Sequence, residues 1–494
     1  MRVPKPSGRP RRSTLSSGLL TALSLTVVTG LSAAVGVVIA REFGHGVETD
    51  GFFAAYGVFL VVVLAAGAIR VAVLPALARA RDEGRFGAVL TSYTLAVSTI
   101  AVPALVLGVL ANDWTAGQLT GGLPPSASRT AADALVFLIP AAVAHLFAAL
   151  AASALAAHDS YGTAAAGYAL GSALGLGLIL WRVGEDGIVA CAWGTFLNAA
   201  VAFVVPLTAL VLRARWGTFR PLAIRARLAE LARAAALPMV LQAFFVVCLR
   251  FASDLGTGAV TSFTYAYLVA SALVAVTASS LGMVSSVPLS RASLSTALAT
   301  RHVVSTSLVS FAGVAAAAGV FALVGDRIVH AALGPAYEGS AGNEIGSLIV
   351  LLGPWMAASI GVTITFPMLF VASRERRLPL LALAALVLHV LTTWIAVSLF
   401  DLDGAAVALT VSTLAVLVTL LLLLSPQVLS EGARGLLFGA AVIGGLALAA
   451  FGAASVLLPE EPAAAVGVVV FAGLLFAARG LGLQQAWGYL RTLE

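Results

Sequence analysis

The basic residues of this chain are not scattered: all but five of its 28 lysines and arginines fall in alternate gaps between long apolar runs. These gaps hold Arg2, Lys5, Arg9, Arg11 and Arg12, then Arg79, Arg81 and Arg85, then the arginines from Arg213 to Arg233, Arg291 and Arg301, Arg374 to Arg377, Arg434, Arg479 and Arg491. Arg70 lies close to one of these ends. The intervening gaps carry most of the acids, among them Glu42, Glu48, Asp50, Asp254, Asp326, Glu344, Asp403 and Glu460. Cytoplasmic loops of membrane proteins are enriched in Lys and Arg, so the basic set is expected inside and both chain ends with it.

Composition agrees with a lipid solvent: 60% of the residues are hydrophobic, 10% are charged and the mean hydropathy is +1.03. No soluble core could hide that much apolar surface. Apolar runs of spanning length fall at 17–40, 51–77, 88–111, 132–157, 164–182, 188–213, 231–253, 258–282, 302–324, 345–372, 378–399, 404–425, 435–458 and 463–482. They lack the alternation of a barrel strand and must satisfy their backbone internally, which predicts an all-α polytopic membrane protein of about 14 transmembrane helices. The basic start ahead of the first run resembles a secretory or twin-arginine signal, but the run is long enough to be a span. Cys191 and Cys248 both lie inside spans, which predicts neither a disulfide framework nor a zinc site. The net charge of +6 fits basic loops on anionic lipid and calls for no nucleic acid.

An internal repeat divides the chain. Phe43-Gly44-His45-Gly46 after the first span matches Leu255-Gly256-Thr257-Gly258 after the seventh, at an offset of 212 residues. Pro75 and Pro288 follow at similar distances, each before a basic loop with Arg79 or Arg291. Gly187-Ile188-Val189-Ala190 opens the sixth span as Gly404-Ala405-Ala406-Val407 opens the twelfth. Six spans between copies keep the orientation, so two parallel-repeat six-helix lobes are expected, a transporter arrangement. The expected divisions are a basic tail at 1–16, an N-lobe at 17–213, a linker at 214–230, a C-lobe at 231–425, and two further helices with a tail at 426–494. Pro221, Leu222, Ile224 and Leu228 among arginines suggest an amphipathic linker helix on the inner leaflet; a plain charged linker is the alternative.

Several chemistries lack their residues. Lys5 is the only lysine, so no phosphate-binding Walker loop exists, and no HExxH, GxSxG or cysteine cluster occurs. No cofactor or metal is expected. Glu42, Glu48 and Asp50 in the first outer loop are the one acidic group that suits a membrane glycosyltransferase, though acids in outer loops are commonly just solvated. Ionisable groups at membrane depth are the default site candidates. His145 and His389, each mid-span, can carry a transported proton or pack against a backbone carbonyl. Arg70 and Arg250 can hold a lipid phosphate or snorkel to the interface. Thr29, on a polar stripe of the first helix, and Gln242 in the seventh can line a wet cavity or serve helix packing.

The segment Ala40-Arg41-Glu42-Phe43-Gly44-His45-Gly46, with Thr49-Asp50-Gly51-Phe52-Phe53-Ala54-Ala55, Ala65-Ala66-Gly67-Ala68 and Ala72-Val73-Leu74-Pro75, resembles the opening of the MurJ/MviN lipid II flippases of the multidrug/oligosaccharidyl-lipid/polysaccharide (MOP) exporter superfamily. Ala252 to Val260 through Tyr265-Ala266-Tyr267 resembles the eighth helix of the same family. The resemblance implies two six-helix lobes plus two C-terminal helices, and outward flipping of a polyprenyl-linked saccharide by alternating access. It places the cavity between helices 1, 2, 7 and 8. Thr29, Val35, Val61 and Val62 stand where the family carries cavity arginines, Ala66 replaces an acid, and Cys248, His389 and Thr393 replace polar or acidic groups.

The expectation is thus a non-enzymatic flippase of cell-envelope precursors in a bacterial cytoplasmic membrane. Lipid II leads as the lipid-linked saccharide substrate. Membrane lipids surround a monomer, and H+, Na+ or the membrane potential drives it. The alternatives are a drug/cation antiporter of the same superfamily, a polyprenyl-sugar-dependent glycosyltransferase, and a scaffold that has lost transport.

Overall fold

The computed structural model describes residues 30–491 apart from 159, 214–215, 217–218, 221–222, 280–294, 373 and 482. Thr29, the basic tail, most of the first expected span, Pro288 and Arg291 therefore lie outside the described residues. Within them there is no strand. The helices are α1 (30–43), α2 (Val47–Asp82), α3 (Phe86–Leu110), α4 (Asn112–Thr120), α5 (Pro125–Ala156), α6 (Tyr161–Asp186), α7 (Val189–Arg213), α8 (Ile224–Ala252), α9 (Ala259–Val274), α10 (Thr296–Leu333), α11 (Ser340–Leu351), α12 (Gly353–Val371), α13 (Leu378–Leu424), α14 (Pro426–Leu457), α15 (Glu460–Ala477) and α16 (Leu483–Arg491).

Among the described residues, twelve helices are long and apolar enough to cross a bilayer. One of them holds two spans. In α13, a straight rod would separate His389 from Ser412 by about 35 Å at 1.5 Å per residue, yet their side chains are 3.0 Å apart. The chain reverses at Phe400 and Asp401, where Asp401 takes φ 49°. Gly404 then lies so close to the first arm that a Cβ there would sit 2.1 Å from the Ala396 carbonyl oxygen. This explains the Gly404 landmark. Its counterpart Gly187 ends α6 with φ 60° ahead of α7. With the two arms of α13 counted separately, thirteen of the expected segments lie among the described residues, and 30–43 is the described end of the other.

Two expected boundaries shift for local reasons. The tenth span is broken at Leu352, because Pro354 in the first turn of α12 has no N–H to continue the ladder from α11. The linker becomes helical at Ile224 and runs without interruption to Ala252, so Arg225 and Arg227 occupy the first turns of α8.

The helices form two compact units. The first contains Val62–Asn112 and Asp133–Leu231 with the N-terminal residues. Its core includes Val73, Leu77, Phe86, Tyr93, Leu150 and Leu155. Tyr93 donates to Glu230 (2.6 Å), and Arg227 reaches the same carboxylate (2.8 Å), tying the start of α8 to α3. Without a hydrophobic drive in lipid, helices associate through close van der Waals approach, which small residues permit. Gly167, Gly171 and Gly175 supply that on α6. A Cβ at Gly175 would lie 2.5 Å from the Gly194 carbonyl oxygen of α7. The second unit contains Ile39–Val61, Asp113–Ala132 and Ala232–Glu494, and buries Phe52, Phe244, Phe245, Phe263 and Leu348.

The seam between α6 and α7 makes a prediction. Gly175→Val should destabilise the detergent-solubilised protein by about 1–3 kcal/mol through overpacking. Gly177→Val, two residues along and facing open space, should leave the melting temperature almost unchanged.

Candidate functional site

In the second unit the two repeat loops meet. Gly44 (φ 62°) turns the chain from α1 into α2, while Gly256 (φ 119°) and Gly258 (φ 94°) turn it from α8 into α9. The first amides of a helix have no partner within it, and Gly258 offers no side chain to cap them. Asp50 meets them instead from 208 residues upstream: its carboxylate accepts from the Gly258 amide at 2.5 Å, the Thr261 amide at 2.8 Å and the Thr261 hydroxyl at 2.6 Å. A negative charge here also suits the positive end of the helix dipole. His45 bonds Ser262 through Nε2 at 2.8 Å.

The two contacts run in opposite directions between the loops. At the offset of 212 residues, Asp50 corresponds to Ser262 and Gly46 to Gly258, so each first-turn polar residue reaches the loop of the other copy. Gly258 has to be glycine, since a Cβ would lie 1.9 Å from His45 Cε1. Tyr337 closes the assembly, donating to the Gly44 carbonyl at 2.9 Å and lying edge-on to His45 and Tyr265. Burial, and to a lesser degree the nearby Asp50 carboxylate, push its phenol above the ordinary range, so it stays a donor. Arg41 satisfies the last carbonyls of α10, Ala331 and Ala332, at 3.1 and 3.3 Å.

This geometry removes the acid that a glycosyl-transfer reading needs. Asp50 is fully buried with both oxygens occupied, whereas Glu42 and Glu48 are exposed. Sequence reasoning missed Thr261, Ser262 and Tyr337. The repeat offset was the available signal, because it pairs position 50 with position 262.

Two of the sequence candidates come together in the first unit. The Arg70 guanidinium lies 4.8 Å from the centroid of the Tyr168 ring. His145, buried, stacks on the same ring at 6.1 Å and 15°. Arg70 is exposed, and among the described residues no acid pairs with it. Arg250 is different: it pairs with Asp254 at 2.6 Å, and Asp254 accepts from the Gly122 amide at 3.0 Å, which fixes the end of α8 to the turn after α4. Gln242 is buried and accepts from Tyr267 at 3.0 Å. His389 is fully buried. Its Nε2 donates to the Phe244 carbonyl at 2.9 Å and lies 3.6 Å from Cys248 Sγ, and its Nδ1 meets Ser412 at 3.0 Å. Thr393 completes this group. Among the described residues no cluster of three or more metal-ligating side chains occurs.

On the acidic side of the second unit, an open cavity of about 850 Å³ is lined by Asp326, Glu344, Asp403 and Glu460 together with Asn343 and Ser347. Arg327 pairs with Glu460 and Glu461, each at 2.7 Å.

This bundle of spanning helices, with two glycine-rich loops bonded to one another in its second unit, resembles in fold the transporters of the MOP superfamily. It is similar in fold to the inward-facing structure of a multidrug resistance MATE family transporter of that superfamily (TM-score 0.60, 17% identity, covering 84% of this chain and 98% of that one). A MOP superfamily transporter from Pyrococcus furiosus is also similar (0.54, 18%, 86% and 96%). The structure of lipid II flippase MurJ in an inward closed conformation gives TM-score 0.76 at 15% identity, covering 94% of this chain and 99% of that one. Residues 39–476 match the family model described as lipid II flippase MurJ. The chain belongs to the MurJ family. No curated protein matches its sequence.

Asp50→Asn turns an acceptor into a donor facing donors. It should cost about 1–3 kcal/mol in thermal unfolding, the penalty for unpaired buried groups, whereas Glu48→Gln, at an exposed position, should shift stability by less than about 0.5 kcal/mol.

Proposed function

We propose that this protein flips a polyprenyl-linked cell-envelope precursor, lipid II foremost, across a bacterial cytoplasmic membrane without chemical change to it. Family membership over residues 39–476 carries the reading. The interlocked repeat loops support it, because alternating access needs a closure that is specific yet made of a few breakable bonds. Asp50, His45, Thr261 and Ser262 supply such a closure on the acidic, outward side of the bundle.

In this reading the lobes at 17–213 and 231–425 rock about that closure, the segment at 214–230 joins them on the cytoplasmic side with both termini, and the helices beyond 426 are an addition. One copy of the chain suffices. Membrane potential or an ion gradient drives the cycle, and His389, bonded to both α8 and the far arm of its own hairpin, is the candidate to carry a proton. An organic-cation antiporter is the second reading, favoured by the MATE-like fold and the carboxylate-lined cavity.

Reconstitution separates them. Proteoliposomes given purified lipid II and an imposed membrane potential should expose the head group on the far face at least about tenfold faster than protein-free vesicles, as expected when a barrier falls by more than about 1.4 kcal/mol. Export of a fluorescent organic cation with no lipid II movement would replace the flippase by the antiporter.

A further inference from the structure

The last described helix, α16, is too short to hold itself together. An isolated helix of fewer than about 12–15 residues is marginal in water, and α16 has 9 residues, Leu483–Arg491, carried on a short 3-10 turn, Ala478–Leu481, that follows α15. Its structure therefore depends on what it touches, chiefly α10. Ala486 and Tyr489, three residues apart and so on one face, are 1% and 3% exposed, whereas Gln484, Gln485 and Gly488 are exposed. Tyr489 is held in three ways by the first turns of α10. The Arg301 guanidinium lies 5.0 Å from the centroid of its ring, the His302 ring meets it edge-on at 5.9 Å and 62°, and its hydroxyl lies 3.2 Å from His302 Nδ1. His302 is buried as well.

What Tyr489 grips is a helix that most of the second unit packs on. α10 lies against α11, α12, α14 and α15. About two turns beyond His302 it meets the π turn Ala275–Ser279 that follows α9, where Ser310 donates to the Thr277 carbonyl at 3.3 Å and a Cβ at Gly313 would lie 3.2 Å from the Thr277 methyl. Single π turns are rare and are frequent at functional sites. Elements with few buried contacts open locally at less cost than global unfolding, so α16 can leave α10 while the spans stay folded. We propose that α16 is a strap: docked through Tyr489, it fixes the first turns of α10 and through them the π turn, and its release frees this part of the second unit to move. An interaction present in one conformation holds the protein there by as much as it favours that conformation over the next, so the docked strap restrains transport. The docking and its grip on the π turn do not depend on the flippase reading; the effect on transport rests on it.

The test is hydrogen–deuterium exchange of the full chain in nanodiscs of zwitterionic lipid, read by mass spectrometry, because a docked short helix protects its amides and a free one does not. Tyr489→Ala should raise exchange at 483–491 and at 275–279 by at least about tenfold, the change that follows the loss of about 1.4 kcal/mol. Tyr489→Phe, which keeps the ring beside Arg301 and loses the hydroxyl, should raise both by about threefold, as expected for one hydrogen bond. Gln485→Ala, at an exposed position, should change neither. Unaltered exchange in α6 and α7 shows that the variants are folded. In proteoliposomes given lipid II and a membrane potential, Tyr489→Ala should flip the lipid about threefold faster than wild type.

Wild-type protection of 483–491 in Tyr489→Ala overturns the strap, since the ring then does not hold the helix. Release of 483–491 with no change at 275–279 also overturns it and leaves α16 as packing alone. Release of both segments without faster flipping overturns the restraint on transport. A wild-type protein that moves no lipid II, while both segments respond to Tyr489→Ala, leaves the strap standing and defeats the flippase reading.

Discussion

In a bilayer no water stands ready to satisfy the first amides of a helix, so a span that begins within the protein must find acceptors there. α9 begins in this way. Its acceptors come from Asp50, in another copy of the repeat. One carboxylate thereby fixes where α9 starts, how closely the two repeat loops approach and why Gly258 cannot carry a side chain. Tyr337, His45 and Ser262 are arranged around that bond. This end of the second unit is thus organised by a polar contact, while the spans beside it are organised by shape.

The two kinds of contact differ in how they break. The α6–α7 seam, with backbone approaching backbone across Gly171, Gly175 and Gly194, leaves no room for a side chain at these positions and separates only by opening the whole seam. The Asp50 contact is directional and short in range. A displacement of an ångström or two removes most of it.

Hydropathy made the spans legible because lipid demands it of every one of them: α3 and α7 begin and end within two residues of the positions expected from their apolar runs. The alternating charges made the loops legible for the same reason. What hydropathy cannot encode is the course of the chain inside an apolar run. The break before Pro354 leaves the run apolar and only the proline marks it, whereas the reversal at Asp401 was legible because Asp401 and Asp403 interrupt the run between 399 and 404. The candidate site was less legible still. Asp50 reads as a solvated loop acid because its partners are 208 and 211 residues away. Arg70 and His145 were singled out separately by depth, but the ring that joins them, Tyr168, is an ordinary residue of an apolar helix. Gln242 and Arg250 look like cavity groups in the sequence and are found bonded to Tyr267 and Asp254.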